Sequence, residues 1–149
     1  MKHLLRYKEA AKKIDPEENF MGYIADIFVE LKEKGFYWYV NNDKVKTTYT
    51  IDLKYRGPKR SNKWWNDAHI TEFKWSDVKE QISMLVGYIE DVYKKADFNE
   101  FSTTLRNRMR NKRREERIVK AYNLKDFQNK LEDTDEMESI HIRCLVRFK

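Results

Sequence analysis

Two stretches of the chain alternate between positions suited to a buried face and positions suited to a solvated face, as half-buried β-strands do. In residues 45–55 one face carries Val45, Thr47, Tyr49, Ile51, Leu53 and Tyr55. Near the C-terminus one face carries Ile140, Ile142, Cys144, Val146 and Phe148. The aromatic segment 36–40 precedes the first stretch across the turn-rich residues 41–44, so the two predict a β-hairpin. Residues 69–75 predict a further short strand.

Apolar residues at helical spacing predict two long helices. The first begins at Asp15 and Pro16, which suit a cap and a first helical position, and it stops at Gly35. The second follows a cap at Ser76 or Asp77. Its apolar stripe is the most regular in the chain and consists of Val78, Ile82, Leu85, Ile89 and Val92.

A third long helix is predicted beyond the second. Asp97 and Glu100 have the spacing of a capping box, and apolar residues as far as Met109 extend the helix into a basic segment at 106–117. Residues 118–122 fit either a strand or a continuation of this basic helix.

The order of these elements predicts an α+β fold. Short helices are expected at residues 1–14 and 123–131. We expect a single domain spanning residues 1–149, with an antiparallel or mixed sheet of three to five strands and helices packed on one face.

Composition supports one globular domain. The chain has 149 residues, of which 40% are hydrophobic and 14% aromatic, enough for a substantial core. Cys144 is the only cysteine, so no internal disulfide can form. The longest apolar run, residues 36–40, is far short of the roughly 20 residues that span a bilayer. We therefore expect a cytoplasmic protein without a membrane partner.

The charge is unevenly distributed. The net charge is +6, but residues 106–117 and 54–63 each carry +5, which leaves −4 for the rest of the chain. An acidic cluster lies at residues 132–138. Two basic segments in a chain whose remaining residues are mildly acidic indicate a polyanionic or acidic partner.

The basic helix is the first candidate binding element. Arginine matches phosphate oxygens in a bidentate fork, and each neutralised phosphate releases counterions. The alternative is a solvated helix face paired with the acidic cluster at 132–138. The residues concerned are Arg106, Arg108, Arg110, Lys112, Arg113, Arg114 and Arg117.

The loop that follows the hairpin is the second candidate. It combines cations with an aromatic ring, which suits single-stranded nucleic acid because rings stack on bases while cations follow the phosphates. The alternative is that Trp64 and Trp65 fold back onto the core. The candidate residues are Arg56, Lys59, Arg60, Lys63 and Trp64. If the hairpin pairs with the last strand, the solvent-exposed face of the sheet would carry Lys46, Lys54, Arg143 and Arg147.

An enzymatic alternative rests on Asp52, Glu72 and Lys74. Asp52 lies in a predicted strand, and the E-x-K spacing places Glu72 and Lys74 on one face of another. This is the arrangement of D…E-x-K nucleases, in which two carboxylates hold Mg²⁺ and the lysine steadies the attacking water. The spacing also arises readily by chance in a highly charged chain.

No cofactor or metal is expected otherwise. His3, His69 and His141 are scattered, without histidine or cysteine at metal-ligand spacing. Cys144 is expected to be an inert core thiol.

Two parts of the sequence resemble small uncharacterised proteins of large tailed bacteriophages. The first is the opening Met1-Lys2-His3-Leu4-Leu5 followed by the acidic-capped helix Asp26-Ile27-Phe28-Val29-Glu30-Leu31, which runs into Gly35-Phe36. The second is the block Phe73-Lys74-Trp75-Ser76-Asp77-Val78. The resemblance covers roughly the first 95 residues. It implies a viral protein acting in the bacterial host cytoplasm or packed in a virion, and it carries over no functional residues.

The sequence thus favours a small non-enzymatic binding protein. Its basic helix and basic, aromatic loop would engage nucleic acid or an acidic protein surface. The alternatives are a structural or assembly subunit, such as a homo-oligomer, and the Mg²⁺-dependent nuclease.

Overall fold

The computed structural model describes residues 16–43, 47–56, 72–93, 95–108 and 114–147. The helices are α1 (Pro16–Ile27), α2 (Val29–Glu33), α3 (Trp75–Val92) and α4 (Leu124–Asn129). The strands are β1 (Phe36–Asp43), β2 (Thr48–Tyr55), β3 (Phe73–Lys74), β4 (Asp97–Arg108), β5 (Arg114–Ala121) and β6 (Glu136–Leu145). The α+β class is confirmed.

The predicted first helix is broken in two. It starts at Pro16, stops at Ile27, and resumes at Val29 after Phe28. Gly35 then adopts a φ of 103°, a left-handed conformation that glycine tolerates, and turns the chain into β1. The predicted cap at Asp15 and the helix at 1–14 lie outside the described residues.

The second predicted helix is confirmed, but its start is not at Ser76 or Asp77. Helix α3 begins at Trp75, with Lys74 preceding it in an extended conformation. The Asp77 carboxylate accepts a hydrogen bond of 3.0 Å from the Lys74 backbone N–H. Asp77 is therefore the third residue of the helix, and its carboxylate accepts from the backbone N–H of the cap residue, as the acidic residue of a capping box does.

The predicted third helix is wrong. Residues 97–108 form strand β4, and residues 114–121 form strand β5, paired with it in antiparallel register. Phe101 and Leu105, four apart, fit a helix face, but Thr103 between them is also buried, so the true period is two. Residues 118–121 belong to β5, so the strand alternative is correct for them.

The strands form one six-stranded sheet, not the three to five strands predicted. Its order is β1-β2-β6-β4-β5, with β3 also paired to β6. Every pairing between described strands is antiparallel. The predicted hairpin is β1 and β2, and the predicted C-terminal strand β6 lies at the centre, so both predictions are confirmed.

The core lies between one face of the sheet and the helices. Helix α1 contributes Phe20 and Ile24, and helix α3 contributes the predicted stripe from Val78 to Ile89. The sheet contributes alternate residues of its central strands, Ile51, Leu53, Phe101, Leu105, Ile140, Ile142 and Cys144. Helix α4 adds Phe127, which packs against Trp75 and Phe101 with ring centroids 5.7 and 5.8 Å apart. The other face of the central strands carries no helix among the described residues; we call it the open face.

Strand β3 continues the line of β2. Met137 of β6 pairs with Phe73 on one edge and with Leu105 of β4 on the other. Strand β4 occupies one edge of β6, and β2 occupies the other. Strands β2 and β3 therefore pair with the same edge of β6. Strand β2 therefore ends, and β3 begins, at neighbouring points of β6.

Candidate nucleic-acid interface

The sheet topology brings the described parts of the two basic segments to the same end. Strands β2 and β4 both run antiparallel to β6, so they point in one direction and end at the same end of the sheet. The chain leaves β2 at Arg56 and leaves β4 at Arg108. Neighbouring strands are about 4.8 Å apart, so β2 and β4 lie about 10 Å apart across β6. We call this the basic end of the sheet.

The described basic residues of the segment 106–117 lie on the paired strands β4 and β5 and not on a helix. The backbone register pairs Arg106 with Glu116 and Arg108 with Arg114. Arg117, opposite Leu105, is exposed. The other predicted residues of the segment, Arg110, Lys112 and Arg113, lie outside the described residues.

Of the candidate loop, Arg56 is described. Its guanidinium carbon lies 4.3 Å from the centre of the Tyr37 ring, a cation–π contact. Its backbone N–H donates to the Gly35 carbonyl at 2.9 Å, which fixes the start of the loop against the start of β1. The other predicted residues, Lys59, Arg60, Lys63 and Trp64, lie outside the described residues.

Aromatic rings continue from the basic end along the edge strand β1. Tyr37 and Tyr39 pack edge to face with centroids 5.5 Å apart, and Tyr39 is 49% exposed. The Lys54 ammonium lies 5.9 Å from the Tyr39 ring centre. Beside Tyr37 a cleft of about 600 Å³ is lined by Lys32, Phe36, Trp38 and Arg56, among others. Accessible rings and cations therefore alternate along this edge.

The centre of the open face carries a chain of polar side chains that crosses four strands. His141 of β6 places Nδ1 2.6 Å from Oδ1 of Asp52 on β2, and Nε2 3.6 Å from Oε2 of Glu100 on β4. The other Glu100 oxygen lies 3.1 Å from the Lys120 ammonium on β5. The Ser102 hydroxyl donates to Glu100 Oε2 at 3.2 Å. We call these five side chains the His141 network.

The register explains why these residues meet. His141 pairs with Asp52 on one side and with Ser102 on the other, and Ser102 pairs in turn with Lys120. Glu100 pairs with Arg143, one step along the same face.

Beside the network, towards the basic end, lies a depression of about 310 Å³. Asp52 and His141 form part of its wall, with the Lys54 ammonium and three hydroxyl residues, Ser102, Thr104 and Ser139. Strand β6 carries one extra residue here, between the pairs Thr103–Ile140 and Leu105–Met137. The Thr103 hydroxyl donates to the Ser139 carbonyl at 2.6 Å and so links β4 to β6 beside this β-bulge.

Electrostatics favour the charged form of Glu100. Burial alone raises the pKa of the Glu100 carboxyl, but the Lys120 ammonium and the Ser102 hydroxyl outweigh burial, and the pKa is lowered from its ordinary value. Glu100 therefore remains a carboxylate at neutral pH.

The proposed nuclease residues do not come together. Asp52 pairs with His141, whereas Lys74 pairs with Glu136, five residues away along β6, which is about 16 Å at about 3.3 Å per residue. Glu72 directly precedes the two-residue strand β3, next to Lys74 and not to Asp52. Among the described residues, no group of three or more His, Cys, Asp and Glu side chains is placed to hold a metal ion.

Local sequence patterns contain little sign of the His141 network. The alternation of the last strand predicts His141 and Arg143 on one solvated face, and Asp52 falls on a predicted strand. The capping pattern at Asp97 and Glu100 predicts a helix cap instead, and residues 118–122 fit either a strand or a helix, so Lys120 has no predicted face. A strand assignment for 97–108 would have been the needed signal.

Two findings bear on partners and relatives. In the part of the chain that the structure describes, no helix has the length and apolar character needed to cross a membrane. Comparison of the chain with protein-family models, curated proteins and solved structures found no match.

Proposed function

We propose that the protein binds single-stranded nucleic acid on the basic end and the adjoining open face of its sheet. The observation that supports this most is the topology: strands β2 and β4 end at the same end of one sheet, where the chain leaves them at Arg56 and Arg108. In the sequence these two strand ends belong to basic segments that together carry +10. Because the two strands lie about 10 Å apart across β6, one strand of phosphates can pass both strand ends.

The aromatic edge favours single strands over duplex. Unpaired bases stack on exposed rings, whereas bases inside a duplex present no face to the protein. Tyr37 and Tyr39 offer two rings in series, with Arg56 and Lys54 beside them. The phosphates would follow the cations while the bases contact the rings.

Part of the acidic cluster is already engaged within the fold. The Asp133 carboxylate binds the Lys79 ammonium at 3.0 Å, and the Asp135 carboxylate accepts the Glu132 backbone N–H at 2.8 Å.

Fluorescence anisotropy tests the proposal with labelled single-stranded RNA, single-stranded DNA and duplex DNA, each at two salt concentrations with EDTA. We expect the single strands to bind more tightly than the duplex, with an affinity that falls steeply with salt. Arg56→Glu should weaken binding roughly tenfold, as loss of a charge-assisted contact does. The matched control is Arg147→Glu, an exposed arginine at the opposite end of the sheet.

A second variant tests stacking separately from charge. Tyr37→Ala should weaken binding by about 1–3 kcal/mol, whereas Tyr37→Phe, which keeps the ring, should change it little. Equal losses from Arg56→Glu and Arg147→Glu would show that only overall charge matters and would refute the proposed site.

No binding to any of the three nucleic acids would overturn the proposal and leave an acidic protein surface as the partner class. A salt-insensitive oligomer in light scattering would instead support the structural or assembly subunit. The phage origin, and action in a host cytoplasm or a virion, stay predictions.

A further inference from the structure

Strand β1 forms one outer edge of the sheet, and no described strand pairs with its outer side. An unpaired edge presents a row of backbone N–H and C=O groups to which another strand can bond. Edge strands usually discourage such pairing by being short, by carrying charged side chains or proline, or by bulging. Strand β1 does none of these: it has eight residues in unbroken register with β2, and it carries neither charge nor proline from Phe36 to Asn42.

The opposite edge of the sheet is protected. Strand β5 carries five charged side chains among its eight residues. The Lys130 ammonium also donates to the Lys120 carbonyl at 2.8 Å and so occupies one of the acceptors of this strand. Charged side chains and covered backbone groups are the usual means by which a protein keeps an edge strand from pairing. The described part of the chain thus guards β5 and leaves β1 open to a partner strand.

The register shows which backbone groups of β1 face outward. The Arg56 N–H donates to the Gly35 carbonyl at 2.9 Å, so these two residues form a hydrogen-bonded pair of the β1–β2 ladder. In an antiparallel ladder such pairs recur at every second residue, so Tyr37, Tyr39 and Asn41 bond to β2. The residues between them direct their N–H and C=O groups away from the sheet, and these are Phe36, Trp38, Val40 and Asn42.

We propose that β1 pairs with β1 of a second copy of this chain, antiparallel and about a two-fold axis at Tyr39, so that two sheets become one. In this register Trp38 bonds to Val40 of the partner subunit, and Phe36 bonds to Asn42 of the partner subunit. Every outward-facing residue of β1 between Phe36 and Asn42 then has a backbone partner. The pairing goes beyond the proposed binding of nucleic acid and does not depend on it.

A second copy fits this edge because the edge is complementary to itself. A two-fold axis brings one surface patch against the same patch of the partner, so each residue must tolerate its symmetry-related neighbours. Tyr39 is the middle of the uncharged segment Phe36–Asn42, so an axis there pairs the whole segment with itself. No charged side chain of the segment then lies opposite another, whereas like charges at opposite positions destabilise a strand pair.

The side chains on both faces of β1 support the pairing. On the face towards the helices, Trp38 packs against Phe28 with ring centroids 5.3 Å apart but stays partly exposed, and it lies opposite Val40 of the partner subunit. On the open face, the exposed Tyr39 lies opposite Tyr39 of the partner subunit. Pairs of aromatic and β-branched residues across two strands stabilise an antiparallel ladder. The pairing therefore removes apolar surface from water on both faces.

The dimer extends the row of aromatic rings on the open face. Tyr37 and Tyr39 stand above the sheet, and the partner's Tyr39 and the partner's Tyr37 follow them along the seam. Because the two β1 strands are antiparallel, this row runs from the basic end of one subunit to the basic end of the other. The partner thus contributes half of the rings in one continuous surface.

Sedimentation equilibrium of the full chain, without nucleic acid, tests the pairing. We expect a reversible dimer at low and at high salt, since the paired segment carries no charge. Val40→Pro removes an N–H that points away from β2, which an edge strand tolerates. Symmetry removes two hydrogen bonds from the dimer, so its dissociation constant should rise about tenfold or more.

The matched control is Ile118→Pro. The alternation of hydrogen-bonded pairs, followed through β2, β6 and β4, also turns the Ile118 N–H outward, but on the other edge of the sheet. Ile118→Pro should therefore change the dissociation constant by less than about twofold. Thermal melting checks that both proline variants fold.

Disulfide formation tests the register without proline. Tyr39→Cys sets two cysteines directly opposite each other, with Cα atoms about 4.5 Å apart, and mild oxidation should link the subunits. Tyr37→Cys and Asn41→Cys each lie about 13 Å from their own copy along the strands, so neither should link alone. A mixture of these two variants should link, because residue 37 lies opposite residue 41 of the partner. The natural Cys144 is fully buried and does not compete.

The outcomes separate this proposal from the proposed function. A chain that stays monomeric at every concentration would overturn the pairing and leave the edge of β1 to a different occupant. Equal weakening by Val40→Pro and Ile118→Pro, or a link formed by Tyr37→Cys alone, would also overturn it. A dimer that passes both tests but binds no nucleic acid would support the pairing and overturn the proposed function. A monomer that binds single strands would do the reverse.

Discussion

The contact between Asp52 and His141 should contribute little to stability. The two atoms lie 2.6 Å apart, but the side chains are 25% and 29% exposed, so water competes for both groups. Opposite charges paired across strands contribute about 0.2–1 kcal/mol, and a hydrogen bond to a charged group about 1.5–3 kcal/mol. Because both groups are partly solvated, we expect a coupling of about 1 kcal/mol, which shifts Tm by about 2–4 °C in a chain of this size.

A double-mutant cycle measures this value. Urea unfolding of the parent, Asp52→Asn, His141→Asn and the double variant gives the coupling energy directly. The exposed pair Lys79–Asp133, with side chains 47% and 61% exposed, is the control. Variants Lys79→Gln and Asp133→Asn should show a coupling below about 0.5 kcal/mol.

Either extreme result would refute the reasoning. A coupling above about 3 kcal/mol would show that the pair holds the central strands together, as buried pairs do, and would favour a structural role. A coupling indistinguishable from zero would show that the two side chains do not meet in solution.

Three further predictions concern the fold. Phe127→Ala should lower the free energy of unfolding by about 3–5 kcal/mol because the ring is fully buried. Tyr122→Ala is the control, since Tyr122 is 68% exposed, and it should change the free energy of unfolding by less than about 0.5 kcal/mol in the same urea titration. Asn123→Ala should cost about 1 kcal/mol, since Asn123 Oδ1 accepts the Asp126 N–H at 2.8 Å and caps α4; Asn123→Ser should recover most of it by thermal melting. Burial raises the pKa of the Cys144 thiol to about 12, so a thiol reagent at pH 8 should label it only on unfolding. The thiol of the unfolded chain ionises near pH 9, whereas the buried thiol stays protonated up to about pH 12. The free energy of unfolding should therefore fall by up to about 1.4 kcal/mol per pH unit between about pH 9 and pH 12. Cys144→Ala should remove this contribution to the pH dependence.

Local patterns predicted the elements whose period was unambiguous. The stripe from Val78 to Ile89 repeats at three and four, and residues 49–53 alternate at two, so each fits one structure. Strand β4 differs because Phe101 and Leu105 satisfy both periods. An extra residue of β4 between Phe98 and Glu100 also interrupts its alternation.

The candidate site depends on information that lies between distant segments. Asp52 and His141 are 89 residues apart in the chain and meet because β2 pairs with β6 in one particular register. A shift of that register by one residue would turn His141 to the core and break the contact. Strand order and register follow from packing of the whole core, which the sequence near either residue does not contain.

The collinear arrangement of β2 and β3 has an evolutionary consequence. The residues that flank the intervening segment lie beside each other on β6. The free energy of closing a loop between two such points depends only weakly on loop length, since each doubling adds about 0.6 kcal/mol. As far as chain closure is concerned, exchange or lengthening of the segment between Arg56 and Glu72 therefore leaves the pairing of β2 and β3 with β6 in place. Because that segment emerges at the basic end, relatives of this chain could acquire new ligand preferences by replacing it alone, and a designer could do the same by grafting.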